Sequence, residues 1–490
     1  LSFISRVKDI YPNYDSLVYG NRSYTWLETY NRCKKFASAL EKKGITKGIT
    51  VSIIAANTPE LFEAHYSIPM TGGVINTINT RLDAETIAYI LDHSDAKLLI
   101  TDTQFSPTMK KALKIYGKKI PIIDIVDDQA VFKEGEGEKI GDWTYEEFLE
   151  LGDDNFNWSL PEDEWQAISL SYTSGTTGKP KGVMLSHKNL SSNAKALTKA
   201  WGFSSEDRLL HALPIYHVHG LFIALGPVLL TGASISWHNR FDVDSVMKTL
   251  LECTVMMGVP TYYTRLLDNP KLDPEYCKNM RVFISGSAPL LPDTFKEFEI
   301  RTGHTILERY GMTETGINAS NPLAGKRIAG SVGQALPGTK AQIVDDAGKV
   351  VRPGETGNLQ VKGDNVFPGY WKMPEKTAED FTSDGFFNTG DKAVINNQGY
   401  ISIVGRSKDM IISGGLNIYP REIELIIDQI PGIIESAVIG TTDHDFGEKV
   451  VAVVACKDKS INAAQVIQIC KSKLCFSNSF LYVYSVGTPD

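Results

Sequence analysis

Cysteine is scarce in this chain, with six among 490 residues, at positions 33, 253, 277, 456, 470 and 475. None are spaced as Cys-x-x-Cys, so neither a disulfide framework nor a structural zinc site is expected, and a reduced compartment is. Long apolar runs are missing too. The nearest, residues 221–230, is too short to span a bilayer, so no stable membrane insertion is expected. Basic blocks are absent: 50 Lys and Arg stand against 58 Asp and Glu, a net charge of −8 that argues against a nucleic-acid partner. There is no internal repeat, no Gly-x-Gly-x-x-Gly following a strand, and no Walker A sequence, which disfavours a dinucleotide fold and a P-loop NTPase. The first residue is Leu1 and not Met, so a cytoplasmic setting is expected with organellar targeting left open.

What the chain does have is a run at residues 171–182 reading Ser-Tyr-Thr-Ser-Gly-Thr-Thr-Gly-Lys-Pro-Lys-Gly. Gly175 and Gly178 let the backbone curl so that its N–H groups face one anion. The hydroxyls of Thr173, Ser174, Thr176 and Thr177 add donors, and Lys179 and Lys181 add point charges suited to phosphate oxygens. The apolar run Ala167-Ile168-Ser169-Leu170 before it reads as a strand. A polar surface loop of this composition is the plain alternative, and the unbroken hydroxyl, glycine and lysine run argues against it. The expectation is a phosphate-cradling loop after a strand.

This run, with three others, resembles the signatures of the adenylate-forming superfamily of acyl-CoA synthetases, luciferases and peptide-synthetase adenylation domains. Arg309-Tyr310-Gly311-Met312-Thr313-Glu314-Thr315 is similar to its adenine and Mg²⁺ motif. Phe387-Asn388-Thr389-Gly390-Asp391 is similar to its ribose motif, and Gly405-Arg406-Ser407-Lys408-Asp409 to its interdomain hinge. The resemblance covers nearly the whole chain. It implies ATP, Mg²⁺ and CoA as cofactors and co-substrates, a small carboxylic acid as partner, and two chemical steps. A carboxylate attacks the α-phosphate of ATP to give an acyl-adenylate and pyrophosphate, and a thiol then displaces AMP.

The expected fold is α/β. Strand-like runs such as Val51-Ser52-Ile53-Ile54-Ala55 and Lys97-Leu98-Leu99-Ile100-Thr101 alternate with helix-like stretches at 26–43 and 59–66, as βα units of parallel sheets do. Residues 1–406 are expected to form a large domain of two βα-layered sheets. Within it, short alternating strands at about 330–404 and a turn at Asp345-Asp346-Ala347-Gly348 suggest a small β-barrel. Residues 407–490 are expected to form a small mobile α+β domain, with a helix from Pro420.

Roles follow from charge and geometry. An anion must approach a polyanion, so cations and N–H dipoles should surround the phosphates; Thr173 and Lys181 are the catalytic candidates there. Glu314, with Thr173, is the candidate for Mg²⁺, against a helix-capping role. Asp391 can accept from a ribose diol, against an ordinary turn aspartate. Tyr310 offers a face for adenine, with Gly311, Met312 and Thr313 beside it, and Gly286, Ser287 and Ala288 admit a purine close to the backbone. Arg406 joins the nucleotide set. The pair His217 and His219 lacks a third metal ligand nearby in sequence. The resemblance instead makes residues 214–217 a gate beside the acyl pocket, with His217 on the reacting carboxylate. It also makes Lys408 the hinge and places Gly414 and Gly415 at the CoA tunnel.

From about 189 to 456 the chain is most similar to the malonyl-CoA synthetase branch, through segments such as Gly258-Val259-Pro260-Thr261-Tyr262-Tyr263-Thr264-Arg265. A dicarboxylate needs a cation for its distal group, and Arg265 and Arg281 are the candidates. Residues 1 to about 166 are closer to medium-chain and aromatic acyl-activating enzymes, as in Asn76-Thr77-Ile78-Asn79-Thr80-Arg81-Leu82. A monocarboxylate ligase is therefore the alternative. The family closes on a Gly-Lys whose amine contacts the reacting carboxylate, and no Gly-Lys occurs among the last residues here. On that ground the small domain is expected to be shortened, and an adenylate-binding protein of impaired turnover is a second alternative.

Overall fold

The computed structural model describes residues 1–173, 179–413, 416–443, 447–456, 461–473 and 481–486. Among these residues one sheet runs Gly369–Tyr370, Lys181–Ser186, Ala167–Thr173, Val74–Thr77, Thr50–Ile54, Leu98–Asp102, Ile122–Ile125, Trp143–Thr144. From Ala167–Thr173 outward to Trp143–Thr144 every pairing is parallel. A second sheet is centred on the parallel strands Leu307–Met312, Val282–Ser285, Val255–Gly258, Arg208–His211 and Ser234–Trp237. The α/β expectation holds. Thr50–Ile54 and Leu98–Asp102 are buried at every position, as strands covered on both faces must be.

Two helices that position the site begin at side-chain caps. Thr25 and Glu28 form a reciprocal capping box for Trp26–Lys42, and Thr58 accepts from Leu61 N at the start of Pro59–Met70. The latter helix is buried along its whole length. It leaves the first sheet after Thr50–Ile54 and packs Phe62 against Trp237 of the second, ring centroids 5.4 Å apart. Its charged residues are therefore paired: Arg32 Nε meets Glu63 Oε1 at 2.6 Å and Arg22 meets Glu60 at 2.6 Å. One hydrophobic cluster, from Val51 and Ile75 to Ile235 and Ile284, joins both sheets around this helix.

The strand expected at 167–170 continues to Thr173 and pairs antiparallel with Lys181–Ser186, Thr173 opposite Lys181. The described ends of the phosphate-loop sequence thus lie on two paired antiparallel strands. The small β-subdomain is an antiparallel sheet of Thr339–Val344, Thr356–Gly363, Phe387–Ile395 and Ile401–Arg406, with the turn at Asp345 closed by Gly348 N donating to Asp345 O at 3.0 Å. Its first and last strands do not pair with each other among the described residues, so the ladder is open and not a closed barrel. After a short turn at Ser407–Asp409, a further sheet and the helices Pro420–Ile427 and Ala463–Lys473 enclose their own cluster, including Ile411, Ile427, Val454 and Val466. Among the described residues no helix is long and apolar enough to cross a membrane.

Burial has a pH consequence at Glu308. Desolvation pushes its carboxyl from 4.5 up to about 8, against the N–H groups of Gly330 and Leu290 that favour the charged form. The folded state thus holds a proton that the unfolded chain releases, so stability falls as pH rises from about 4.5 to about 8. Glu308→Gln should flatten that part of a denaturation-versus-pH profile.

Candidate active site

The carboxyl ends of the parallel strands in both sheets face one cleft, and each brings a loop with chemistry. In the first sheet, Thr173 and Lys181 close the stem of the hairpin. Lys181 Nζ lies 4.3 Å from the centroid of Tyr370, and Lys179 Nζ lies 5.1 Å from that of Tyr89. Ser174, Gly175, Thr176, Thr177 and Gly178 lie outside the described residues, as do Gly414 and Gly415.

Tyr370 connects the hairpin to the second sheet, because its hydroxyl donates to Glu314 Oε1 at 3.2 Å. Glu314 is buried, and desolvation raises its carboxyl above the usual range. The backbone, Tyr370, Lys181 and Arg406 oppose that rise. Glu314 sits in the turn between Leu307–Met312 and Gly316–Ser320. There Gly311 is required: a Cβ would stand 2.0 Å from Gly316 O. Among the described residues no three His, Cys, Asp or Glu side chains gather as a metal cage. A hard cation here would be completed by phosphate oxygens, as Mg²⁺ commonly is.

Asp391 is buried on Phe387–Ile395, in register with Arg406 of Ile401–Arg406. Arg406 Nε lies 2.8 Å from Asp391 Oδ1, and Tyr310 OH donates to Oδ2. Each carboxylate oxygen retains one acceptor position, so the two hydrogen bonds needed for a diol are available. Burial holds this carboxyl above its usual range, against Arg406 and Tyr310. Lys408, two residues past Arg406, also acts on Asp391. Tyr310, Asp391, Arg406 and Lys408 thus form one connected group.

Residues 213–217 are fastened from the first sheet. The buried Asn57 donates from Nδ2 to Leu213 O at 2.7 Å and accepts Ile215 N–H at 2.9 Å, while Thr77 Oγ1 donates to Tyr216 O at 3.0 Å. His217 packs on Tyr216, centroids 4.5 Å apart, and remains open to solvent at its edge. Desolvation first, then the charge of Arg81, lowers its pKa, so it stands neutral near pH 7. His219 Nδ1 lies 3.0 Å from Ser287 Oγ, and Ser287 has a φ of 70°, a strained backbone for a residue with a side chain.

Arg309 was not singled out by motif reasoning. It is 4% exposed, and its guanidinium lies directly beneath Gly286, where a Cβ would meet Cζ at 2.4 Å. Its Nε and Nη2 have no hydrogen-bond partner among the described residues, and no carboxylate pairs with it there. Burial lowers its pKa to about 9. His211 and Trp237 Nε1, from two neighbouring strand ends, are also buried and unpartnered. The signal that would have found Arg309 is the alternation of its strand: Leu307 and Arg309 share one face, and Leu307 belongs to the inter-sheet core.

Arg281 requires correction. It precedes Val282–Ser285, whereas Gly286 and Ser287 follow it, so roughly 13 Å of strand separates Arg281 from the cleft. Its guanidinium is already held by Asp207 at 2.6 and 2.9 Å and by Trp201 O at 2.8 Å. Arg265 differs: it is exposed on Pro260–Leu267, the helix after Val255–Gly258, and among the described residues it has no ion pair.

These features agree with known proteins. The AMP-binding enzyme family matches residues 5–371. An acetate–CoA ligase of Humulus lupulus is 35% identical, covering 97% of this chain and 89% of that protein. A malonate–CoA ligase of Arabidopsis thaliana is 34% identical, covering 84% of this chain and 68% of that protein. The ATP-bound MatB of Rhodopseudomonas palustris superposes with a TM-score of 0.89 at 38% identity, covering 98% and 94% of the two chains. The chain belongs to the AMP-binding enzyme family. Within it, the protein is an AMP-forming acyl-CoA synthetase.

Arg281→Leu should cost about 2 kcal/mol of stability in denaturant titration, because Asp207 loses its buried partner, and should leave the KM for the acid unchanged. Asp391→Ala should raise the KM for ATP by on the order of tenfold, two charge-assisted hydrogen bonds being lost, with the KM for the acid little affected.

Proposed function

We propose that the acid activated is malonate or a closely related short dicarboxylate, and that Arg309, with Arg265, receives its distal carboxylate. The observation that carries this reading is the buried guanidinium without a counter-ion. A charge taken out of water and left unpaired costs several kcal/mol, and a site that bears such a cost is complete only when an anion arrives. Gly286 leaves the group uncovered by any side chain on that side. His211 and Trp237 add unpartnered polar atoms to the same layer, where a hydrocarbon tail would find no partner for them.

In the first step the proximal carboxylate attacks the α-phosphate. Thr173, Lys179 and Lys181 surround the phosphates with donors and charge as pyrophosphate departs. Glu314, with the Thr173 hydroxyl, is the residue that would hold Mg²⁺, and the ion would neutralise phosphate charge. Asp391 takes the ribose diol, Tyr310 and the 286–288 backbone take adenine, and neutral His217 hydrogen-bonds the reacting carboxylate. In the second step the CoA thiol attacks the mixed anhydride and AMP leaves. The small domain turns about Lys408 between the steps, bringing Gly414 and Gly415 beside the pantetheine arm. Positioning is the main demand on this step, the anhydride being activated already.

A monocarboxylate is the second reading. The acetate–CoA ligase likeness over nearly the whole chain favours it, as does the solvent-facing position of Arg265.

The purified chain given ATP, Mg²⁺, CoA and equimolar malonate, methylmalonate, acetate, octanoate and benzoate should release malonyl-CoA as the main thioester by mass spectrometry. Arg309→Met should lower kcat/KM for malonate on the order of 10²-fold or more while acetate turnover changes little, because a site built for a charged group rejects its absence strongly. A wild-type preference for acetate or octanoate, unchanged in Arg309→Met, would overturn the dicarboxylate reading.

A further inference from the structure

The loop after Val74–Thr77 belongs to the first sheet yet reaches the gate of the second. Thr77 Oγ1 bonds the Tyr216 carbonyl at 3.0 Å, and Thr77 is in register with Ser171 on the strand leading to the phosphate hairpin. The loop therefore lies between gate and hairpin. Beyond Thr77, Asn79 Oδ1 accepts the Arg81 N–H at 2.9 Å, an Asx turn that sets where Arg81 leaves the backbone. Asp83 then caps the helix Ala84–His93, so Arg81 is fixed between two anchored points.

Arg81 is exposed and, among the described residues, its side chain has no hydrogen bond or ion pair. Its charge reaches the gate nonetheless. It adds to burial in lowering His217, and with Arg265 it opposes the burial and Tyr216 effects that push Tyr262 up to about 12. Tyr262 itself is anchored to the gate segment, its hydroxyl donating to Ala212 O at 3.1 Å. Tyr262 thus feels two guanidinium charges, one from an element of each sheet, beside a gate segment that Thr77 already joins to the first sheet. The chain as a whole carries a charge of −8, whereas here two arginines without an ion pair among the described residues place positive charge beside the gate.

We propose that Arg81 is the docking cation for the incoming acid: it captures the substrate carboxylate on the solvent side of the gate, before His217 receives it. Arg81 touches the substrate on its way in and takes no part at the reacting atoms. The assignment holds for a mono- or a dicarboxylate and does not depend on the role given to Arg309.

Steady-state kinetics with the best acid of the panel test it. In Arg81→Gln, kcat/KM for the acid should fall about 5- to 20-fold at low ionic strength, with kcat, the KM values for ATP and CoA, and Tm unchanged. The deficit should shrink at about 0.5 M salt, where screening removes the wild-type advantage. Arg81→Lys should retain most of the wild-type rate. Unchanged acid kinetics in Arg81→Gln would overturn the proposal. So would a loss confined to the KM for CoA or ATP, which would assign Arg81 to a phosphate instead. Because Arg309→Met is read as a malonate-to-acetate ratio and Arg81→Gln as a loss common to both acids, failure of one leaves the other intact.

Discussion

Parallel strands release their chain ends and loops at one edge of a sheet, and in this protein two such edges meet across a single cleft. The meeting is enforced by burial. A helix that leaves the first sheet after Thr50–Ile54 is covered along its whole length and carries Phe62 onto Trp237 of the second sheet. Sliding one sheet over the other would expose that helix and strand the charges of Glu60 and Glu63. Everything chemical depends on this registration, because the phosphate hairpin comes from one sheet and the Tyr310–Glu314 segment from the other.

Short polar contacts then turn proximity into geometry. Asn57 and Thr77 hold the gate from the opposite sheet. Tyr370 lies under Lys181 and reaches Glu314, so hairpin and turn cannot move independently. Arg406 and Tyr310 share Asp391, which ties the Tyr310 segment to the turn at Ser407–Asp409. The same region holds a buried guanidinium without an ion pair among the described residues, a buried imidazole with both nitrogens bare, and Ser287 at a φ of 70°. Each costs stability and is held in place by the well-packed strands beneath it.

Arg281 and Arg309 mark how far residue-level reasoning reached. Both were in segments recognised at once, and both are guanidinium groups on neighbouring strands. One lies before its strand and is consumed by Asp207; the other lies within the strand Leu307–Met312, on the face of Leu307. Residue type is the same in the two cases, and strand direction separates them. The run at 171–182 was legible as a family signature, but the antiparallel pairing of Thr173 with Lys181 at its two ends came from the structure.

By itself, the sequence determined the α/β class, the helices near 26–43 and 59–66 and the family signatures that contain Glu314, Tyr310 and Asp391. These depend on local rules: periodicity, capping, turn chemistry and fixed spacing. Only the tertiary structure decided which arginines are consumed in ion pairs, which carboxylate oxygens are already engaged, and that the loop carrying Arg81 is joined through Thr77 to Tyr216, 139 residues away in sequence. Those outcomes depend on burial and on long-range registration of two sheets, which no local pattern encodes.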